Sequence, residues 1–189
     1  MREKLDKRTK WSYCVGATGR DAAYALVSMY LILYVQYTMH LTSAQFAVIS
    51  GVMIVCMVWD AINDLLMGII IENTHFKMGK FRPWILIGSI TNAVVIVCLF
   101  TIRPSGWGFV AFYSFFYLMW GMTYTMNDIA YWGVLPSLSS DSRTRDSLVT
   151  TMSVFVCIGQ FSVAGVVPIV IAEMRSMHIA SWHWLLLLV

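Results

Sequence analysis

The run from Ala44 to Ile71 is apolar and long enough to cross a bilayer as a helix, yet its middle reads Trp59-Asp60-Ala61-Ile62-Asn63-Asp64. Residues 60, 63 and 64 stand at i, i+3, i+4, so two carboxylates and an amide leave one narrow helical face together. In low-dielectric surroundings two acids at this spacing cannot both ionise cheaply. Either one is protonated or a cation sits between them, which makes the pair a binding site for H+ or a small metal ion. The alternative is a pair of interfacial acids that merely face water. Intramembrane acids are costly and usually functional, and this favours the binding site.

The rest of the chain repeats such runs. Of 189 residues, 59% are hydrophobic and 12% charged, with 8 Trp, 9 Tyr and 10 Phe, a composition that argues against a soluble domain and for an all-α polytopic membrane protein. Residues 1–10 read as a basic N-terminal tail and residues 11–189 as one transmembrane bundle. Its spans are expected over about 11–39, 44–71, 84–102, 107–135 and 147–172, with Thr42 or Ser43 capping the second and Pro136 stopping the fourth. Residues 179–189, after the interfacial Trp182-His183-Trp184, read as a partial sixth span, since a full crossing needs about 20 residues. The first apolar stretch is too long for a signal peptide and is read as a retained span. Cys14, Cys56, Cys98 and Cys157 show no paired spacing and read as small hydrophobic side chains.

Charge placement gives an orientation. Arg2, Lys4, Lys7, Arg8, Lys10, Lys77, Lys80, Arg82, Arg143 and Arg145 fall in the tail, the 72–83 loop and the 137–146 connector, whereas the alternate loops carry Arg103 and Arg175. The N-terminus is therefore expected on the cytoplasmic side. The formal charge of +3 is small and implies no nucleic-acid partner. Counted from the span ends, Asp21, Asp60, Asp64 and Asp128 all reach depths between the midplane and the cytoplasmic side, where they can belong to one cavity.

Span 4 offers a second kind of site. Tyr124, Asp128 and Trp132 recur at i, i+4, i+8, lining one face with a phenol, a carboxylate and an indole. Carboxylates accept hydrogen bonds from sugar hydroxyls and aromatic rings cover the apolar C–H face of a pyranose, so this face suits a carbohydrate. The alternative is a packing stripe with Asp128 paired to Arg20. On span 1, Asp21, Tyr24 and Ser28 share a face, and Arg20 can neutralise one acid. Four intramembrane aspartates against one arginine leave a formal excess of three negatives, which calls for bound cations or protons. Thr125 is a further oxygen ligand facing span 2 or, equally, a hydroxyl bonded back to its own helix.

These residues carry a resemblance. Gly19-Arg20-Asp21, Trp59-Asp60-Ala61-Ile62-Asn63-Asp64 with Met67-Gly68, Gly79-Lys80-Phe81-Arg82-Pro83-Trp84-Ile85-Leu86-Ile87-Gly88, and Trp120-Gly121-Met122-Thr123-Tyr124-Thr125-Met126-Asn127-Asp128-Ile129 with Trp132 together resemble the glycoside-pentoside-hexuronide:cation symporters, the melibiose permease group of the major facilitator superfamily. The similarity covers about residues 11–172. It implies the N-terminal six-helix bundle of a major facilitator fold with its sixth helix truncated, in a bacterial inner membrane, lacking a C-terminal six-helix partner bundle with which access would alternate. It implies cation ligation (Na+, Li+ or H+) by Asp60, Asn63, Asp64 and Thr125, with Asp60 and Asp64 as the metal ligands if the ion is Na+ or Li+. Sugar contacts are implied for Arg20, Asp21, Tyr124, Asp128 and Trp132, and Tyr24 is counted with them because it shares a face with Asp21. Two positions depart: Leu65 stands where the group commonly has proline, and Ser153 where it has a sugar-binding arginine.

The function expected is sugar:cation symport, without enzymatic activity or a cofactor beyond the coupling cation. Two alternatives remain: a non-transporting fragment or sensor, and a membrane phosphotransferase holding Mg2+ at Asp60 and Asp64, which lacks the additional acid such sites use. The topology is tested by cysteine labelling. Lys77→Cys and Pro104→Cys are expected to react with an impermeant maleimide from opposite sides of the membrane; labelling from one side refutes the span count.

Overall fold

The computed structural model describes residues 6–39 and 41–176, with side chains to residue 171; the expected partial span over 179–189 lies outside the described residues. Five α-helices make up the fold: α1 (Lys7–Thr38), α2 (Ser43–Asn73), α3 (Arg82–Thr101), α4 (Trp107–Leu138) and α5 (Ser142–Ser176). Of these, α2, α3 and α5 as far as Ile171 are long and apolar enough to cross a membrane. Helix α1 carries Lys7, Arg8, Lys10, Arg20 and Asp21, and α4 is rich in Tyr and Trp, whose polar tips lower its apolarity.

The helix ends follow local chemistry. Thr42 caps α2 in a capping box: its hydroxyl accepts from the Gln45 N–H at 3.3 Å, while the Gln45 amide oxygen accepts from the Thr42 N–H at 3.0 Å. Gly79 (φ 97°) and Gly106 (φ 61°) take the left-handed conformations that turn the chain into α3 and α4. The helices run further into the charged segments than the sequence suggests. Helix α1 starts at Lys7, inside the basic segment expected as a tail, since nothing in Lys7–Lys10 breaks a helix. Pro136 does not stop α4, which continues to Leu138, because a proline in the last turn forfeits only one hydrogen bond. The expected 137–146 connector shrinks to residues 139–141. There Asp141 starts α5 by accepting from the Thr144 N–H at 3.2 Å, and Arg145 folds back onto the Ser139 and Ser140 carbonyls at 3.1 Å each.

The helices form two compact units, divided between Leu31 and Ile32 and between Gly133 and Val134. The first joins most of α1 to the end of α4 and to α5. Thr18 donates to the Phe155 carbonyl at 3.2 Å, and Gly159 lies against the Thr18 carbonyl, which an added Cβ would meet at 2.5 Å. Small residues permit such close backbone approach in membrane helices. Pro168, inside α5, has no N–H to offer the Ala164 carbonyl four residues earlier; the Tyr30 hydroxyl of α1 donates to that carbonyl at 3.0 Å. The tertiary contact thus supplies the donor that the proline removed.

The second unit holds the end of α1 with α2, α3 and α4 as far as Gly133. At its α1 end, Tyr34 is fully buried, donates to the Phe100 carbonyl at 3.1 Å and carries the Arg103 guanidinium over its ring at 5.4 Å. At the other end Met67, Ile71 and Ala130 form a buried cluster packed by Phe81, Trp84, Ile85, Met126 and Ile129.

The Tyr30–Pro168 pairing makes a testable claim. Tyr30→Phe is expected to destabilise the folded protein by about 0.5–1.5 kcal/mol by removing the donor to a partly buried carbonyl. In a Pro168→Ala background, which restores the intrahelical N–H, the same change should cost little. Thermal unfolding in detergent measures both, and equal losses in the two backgrounds refute the compensation.

Candidate functional site

The two acids of α2 lie in the second unit. Asn63 is buried (2% exposed), Asp60 half-buried and Asp64 exposed. Asp60 lies directly against α4 at Gly121: a Cβ there would meet the Asp60 Oδ1 at 2.7 Å, so only glycine lets the carboxylate rest on the α4 backbone. Contacts further along rise together in both helices, from Asp60 at Gly121 to Met67 and Ile71 beside Met126, Ile129 and Ala130. Helices α2 and α4 therefore run in the same direction. One turn beyond the Asp60–Gly121 contact, Asp64 and Thr125 come level with each other.

Thr125 is buried, and among the described residues its hydroxyl makes no hydrogen bond to its own helix. Its neighbours behave otherwise: Thr123 bonds back to the Met119 carbonyl at 2.9 Å and Ser114 to Val110 at 2.7 Å. Of the two readings of Thr125, the helix back-bond is absent. The Asn63 Nδ2 is likewise a buried donor without a partner among the described residues. The level of Asp60, Asn63, Asp64 and Thr125 is thus rich in oxygen and lacks a neutralising base, since no ion pair to Asp60 or Asp64 occurs among the described residues.

The same α4 face carries the aromatic and acidic stripe. Gly121, Tyr124 and Asp128 follow one another at i, i+3, i+7, so Asp60 rests on the stripe about 10 Å along the axis from Asp128. Tyr124 and Asp128 are half-buried and Trp132 is 42% exposed. Behind them runs an aromatic series not anticipated from the sequence. Phe109–Tyr113, Tyr113–Tyr117, Tyr117–Trp120 and Trp120–Tyr124 meet in turn, the first and third tilted and the others stacked, with ring centroids 6.0, 5.5, 5.5 and 6.2 Å apart. Its signal was legible as aromatics three or four residues apart along α4.

In the first unit, Arg20 pairs with its neighbour Asp21 through Nη2 at 2.7 Å and Nε at 3.1 Å, with the two side chains 9% and 10% exposed. Arg20 thus neutralises one acid, as its position suggested, and the pair is buried and charge-assisted. Tyr24, one turn on, is 38% exposed. Ser153 bonds back to the Val149 carbonyl at 3.0 Å and presents no charge. All four cysteines are free, as expected of hydrophobic filler.

An all-helical chain with three span-length apolar helices, one of which carries two acids that no base pairs among the described residues, is built as an integral membrane protein. The chain belongs to the MFS/sugar transport protein family, whose model it matches over residues 12–187. It is 31% identical to a lactose permease of Lactobacillus delbrueckii subsp. bulgaricus, over 96% of this chain and 29% of that protein. To a lactose permease of Lactobacillus helveticus it is 30% identical, over 76% and 24%. To the putative glycoside/cation symporter YagG of Escherichia coli it is 25% identical, over 86% and 35%. The chain spans about a quarter to a third of the length of these relatives. The resemblance to the glycoside-pentoside-hexuronide:cation symporters therefore stands on family as well as on motifs.

The Asp60–Gly121 contact can be tested without a transport assay. Gly121→Val should lower the unfolding temperature of the purified protein, and Asp60→Ala should relieve much of that loss. The two changes are expected to couple by about 0.5–3 kcal/mol; strict additivity would show that the two residues do not meet.

Proposed function

We propose that this chain forms the N-terminal bundle of a sugar:cation symporter that works by alternating access against a second bundle, with its N-terminus in the cytoplasm of a bacterial cell and a sixth helix completing the bundle. Asp60, Asn63, Asp64 and Thr125 take the coupling cation, Na+, Li+ or H+. Arg20, Asp21, Tyr24, Tyr124, Asp128 and Trp132 take the sugar. The transported molecule is a glycoside, pentoside or hexuronide.

One observation carries this reading most of all: the Asp60 carboxylate rests on the α4 face that, two turns on, bears Asp128. A cation held between Asp60 and Asp64 neutralises charge at one end of this face and draws the oxygen of Thr125 inward. The rotation and depth of α4 then differ between the loaded and empty states, and with them the positions of Tyr124, Asp128 and Trp132. Coupling follows because the cation alters the sugar's affinity only through a difference it makes to that shared helix. The names of the relatives, lactose permease and glycoside/cation symporter, support a saccharide as cargo. Ser153 in place of arginine removes one charged sugar contact and points to a substrate set that differs from melibiose.

In the full-length carrier, Asp60→Cys or Asp64→Cys is expected to abolish cation-stimulated uptake while leaving sugar binding measurable; stimulation retained in both variants overturns the cation assignment. Losing one charge-assisted hydrogen bond costs about 1.5–3 kcal/mol, roughly ten- to hundredfold in affinity. Asp128→Asn should therefore weaken sugar binding by about that factor with little effect on folding, and Trp132→Phe should cost less than Trp132→Ala. Uptake and Trp-fluorescence titrations across glycosides, pentosides and hexuronides give the readout. If every sugar binds Asp128→Asn and Trp132→Ala as tightly as the parent, the α4 stripe is packing.

A further inference from the structure

Helices α3 and α4 are joined by two asparagines that neither the cation site nor the sugar face uses. Asn92 of α3 is 8% exposed and reaches across to α4, donating to the Trp120 carbonyl at 3.3 Å and to the Thr123 Oγ1 at 3.0 Å. Asn127 of α4 is 5% exposed and reaches the other way, donating to the Ile85 carbonyl at 3.1 Å and to the Ser89 Oγ at 2.5 Å. The two links lie about one and a half turns apart on antiparallel helices, so they resist both rotation and sliding. At the Asn127 link Gly88 lets the backbones close: a Cβ there would meet the Asn127 Cβ and N at 3.0 Å each.

The α4 residues engaged by this pairing, Trp120, Thr123 and Asn127, lie about a quarter to a third of a turn from the stripe of Tyr124, Asp128 and Trp132. Fixing one face of a helix fixes the others. We propose that Asn92 and Asn127 form a reciprocal amide clamp that makes α3 and α4 one rigid body and sets the rotation at which α4 presents Tyr124, Asp128 and Trp132 to the sugar. They are positioning residues, and the proposal rests on the sugar-binding reading of that stripe.

Stability alone does not account for them. Hydrogen bonds between membrane helices are individually modest, and the Asn127 Oδ1 is a buried acceptor with no partner among the described residues. Asn127→Leu is close in volume and removes both the donors and that orphaned acceptor, so a purely structural asparagine predicts little change or a gain in stability. A positioning asparagine predicts a loss of sugar affinity instead.

The experiment uses the full-length carrier in membrane vesicles, with lactose and further glycosides as probes. Asn127→Leu is expected to weaken binding of the sugar that binds the parent by about five- to twentyfold at equal amounts of folded protein. The pair Gly88→Cys with Asn127→Cys then replaces the clamp by a covalent link: the two Cβ positions, 3.0 Å apart, need the helices to move outward by about half an ångström to reach disulfide range. Copper-phenanthroline oxidises the two thiols to the disulfide. Oxidised vesicles should recover most of the affinity missing in the reduced ones and retain uptake, whereas the single Asn127→Cys control should not respond. Unchanged affinity in both Asn127→Leu and the reduced pair overturns the positioning role. Loss of uptake on oxidation shows that α3 and α4 separate during the cycle, and failure to crosslink contradicts the close approach; either overturns the rigid body. Asp128→Asn, run in parallel, separates these outcomes from a failure of the sugar reading, because intact binding there removes the stripe itself.

Discussion

An acid inside a membrane helix has to be matched by a proton, a cation or a base, and the rest of this structure is arranged around that requirement at Asp60. No arginine or lysine meets it among the described residues. What meets it is the bare α4 backbone at Gly121. That approach draws α2 and α4 together in parallel register and brings Asp64 level with Thr125. A side chain at 121 would displace the Asp60 carboxylate from the α4 face that bears Asp128.

Helix α4 consequently serves two neighbours at once. The face that carries Tyr124, Asp128 and Trp132 receives Asp60 of α2 at Gly121, and another is bound to α3 through Asn92 and Asn127. A series of ring contacts runs from Phe109 to Tyr124 along its first half. Membrane helices gain no hydrophobic driving force from packing on one another, so close contacts of this kind, glycine against carboxylate and amide against carbonyl, carry the specificity that apolar burial provides in water.

In the first unit the same logic works with different parts. The carbonyl that Pro168 leaves without a donor is taken up by Tyr30, and Gly159 admits the backbone of α1. Arg20 and Asp21, adjacent in the chain, neutralise each other. Charge in this protein is thus settled locally where it can be, and left unsettled at Asp60 and Asp64.

Much of this was legible in the residues themselves. Apolar runs of span length, the i, i+3, i+4 spacing of Asp60, Asn63 and Asp64, the i, i+4, i+8 spacing of Tyr124, Asp128 and Trp132, and the Thr42 cap depend on local periodicity, and a helix reproduces local periodicity whatever it packs against. The sequence motifs also sufficed to indicate the family. Helix ends at Lys7, Leu138 and Ser142 were not legible, because charged residues and a late proline are read as breaks although the backbone tolerates them at a terminus. Nor was the role of glycine 121, of Asn92 and Asn127, or of Tyr30 opposite Pro168. Each acts on a residue distant in the chain, and a partner's identity is set by which helices meet and in what register, which only the tertiary structure decides.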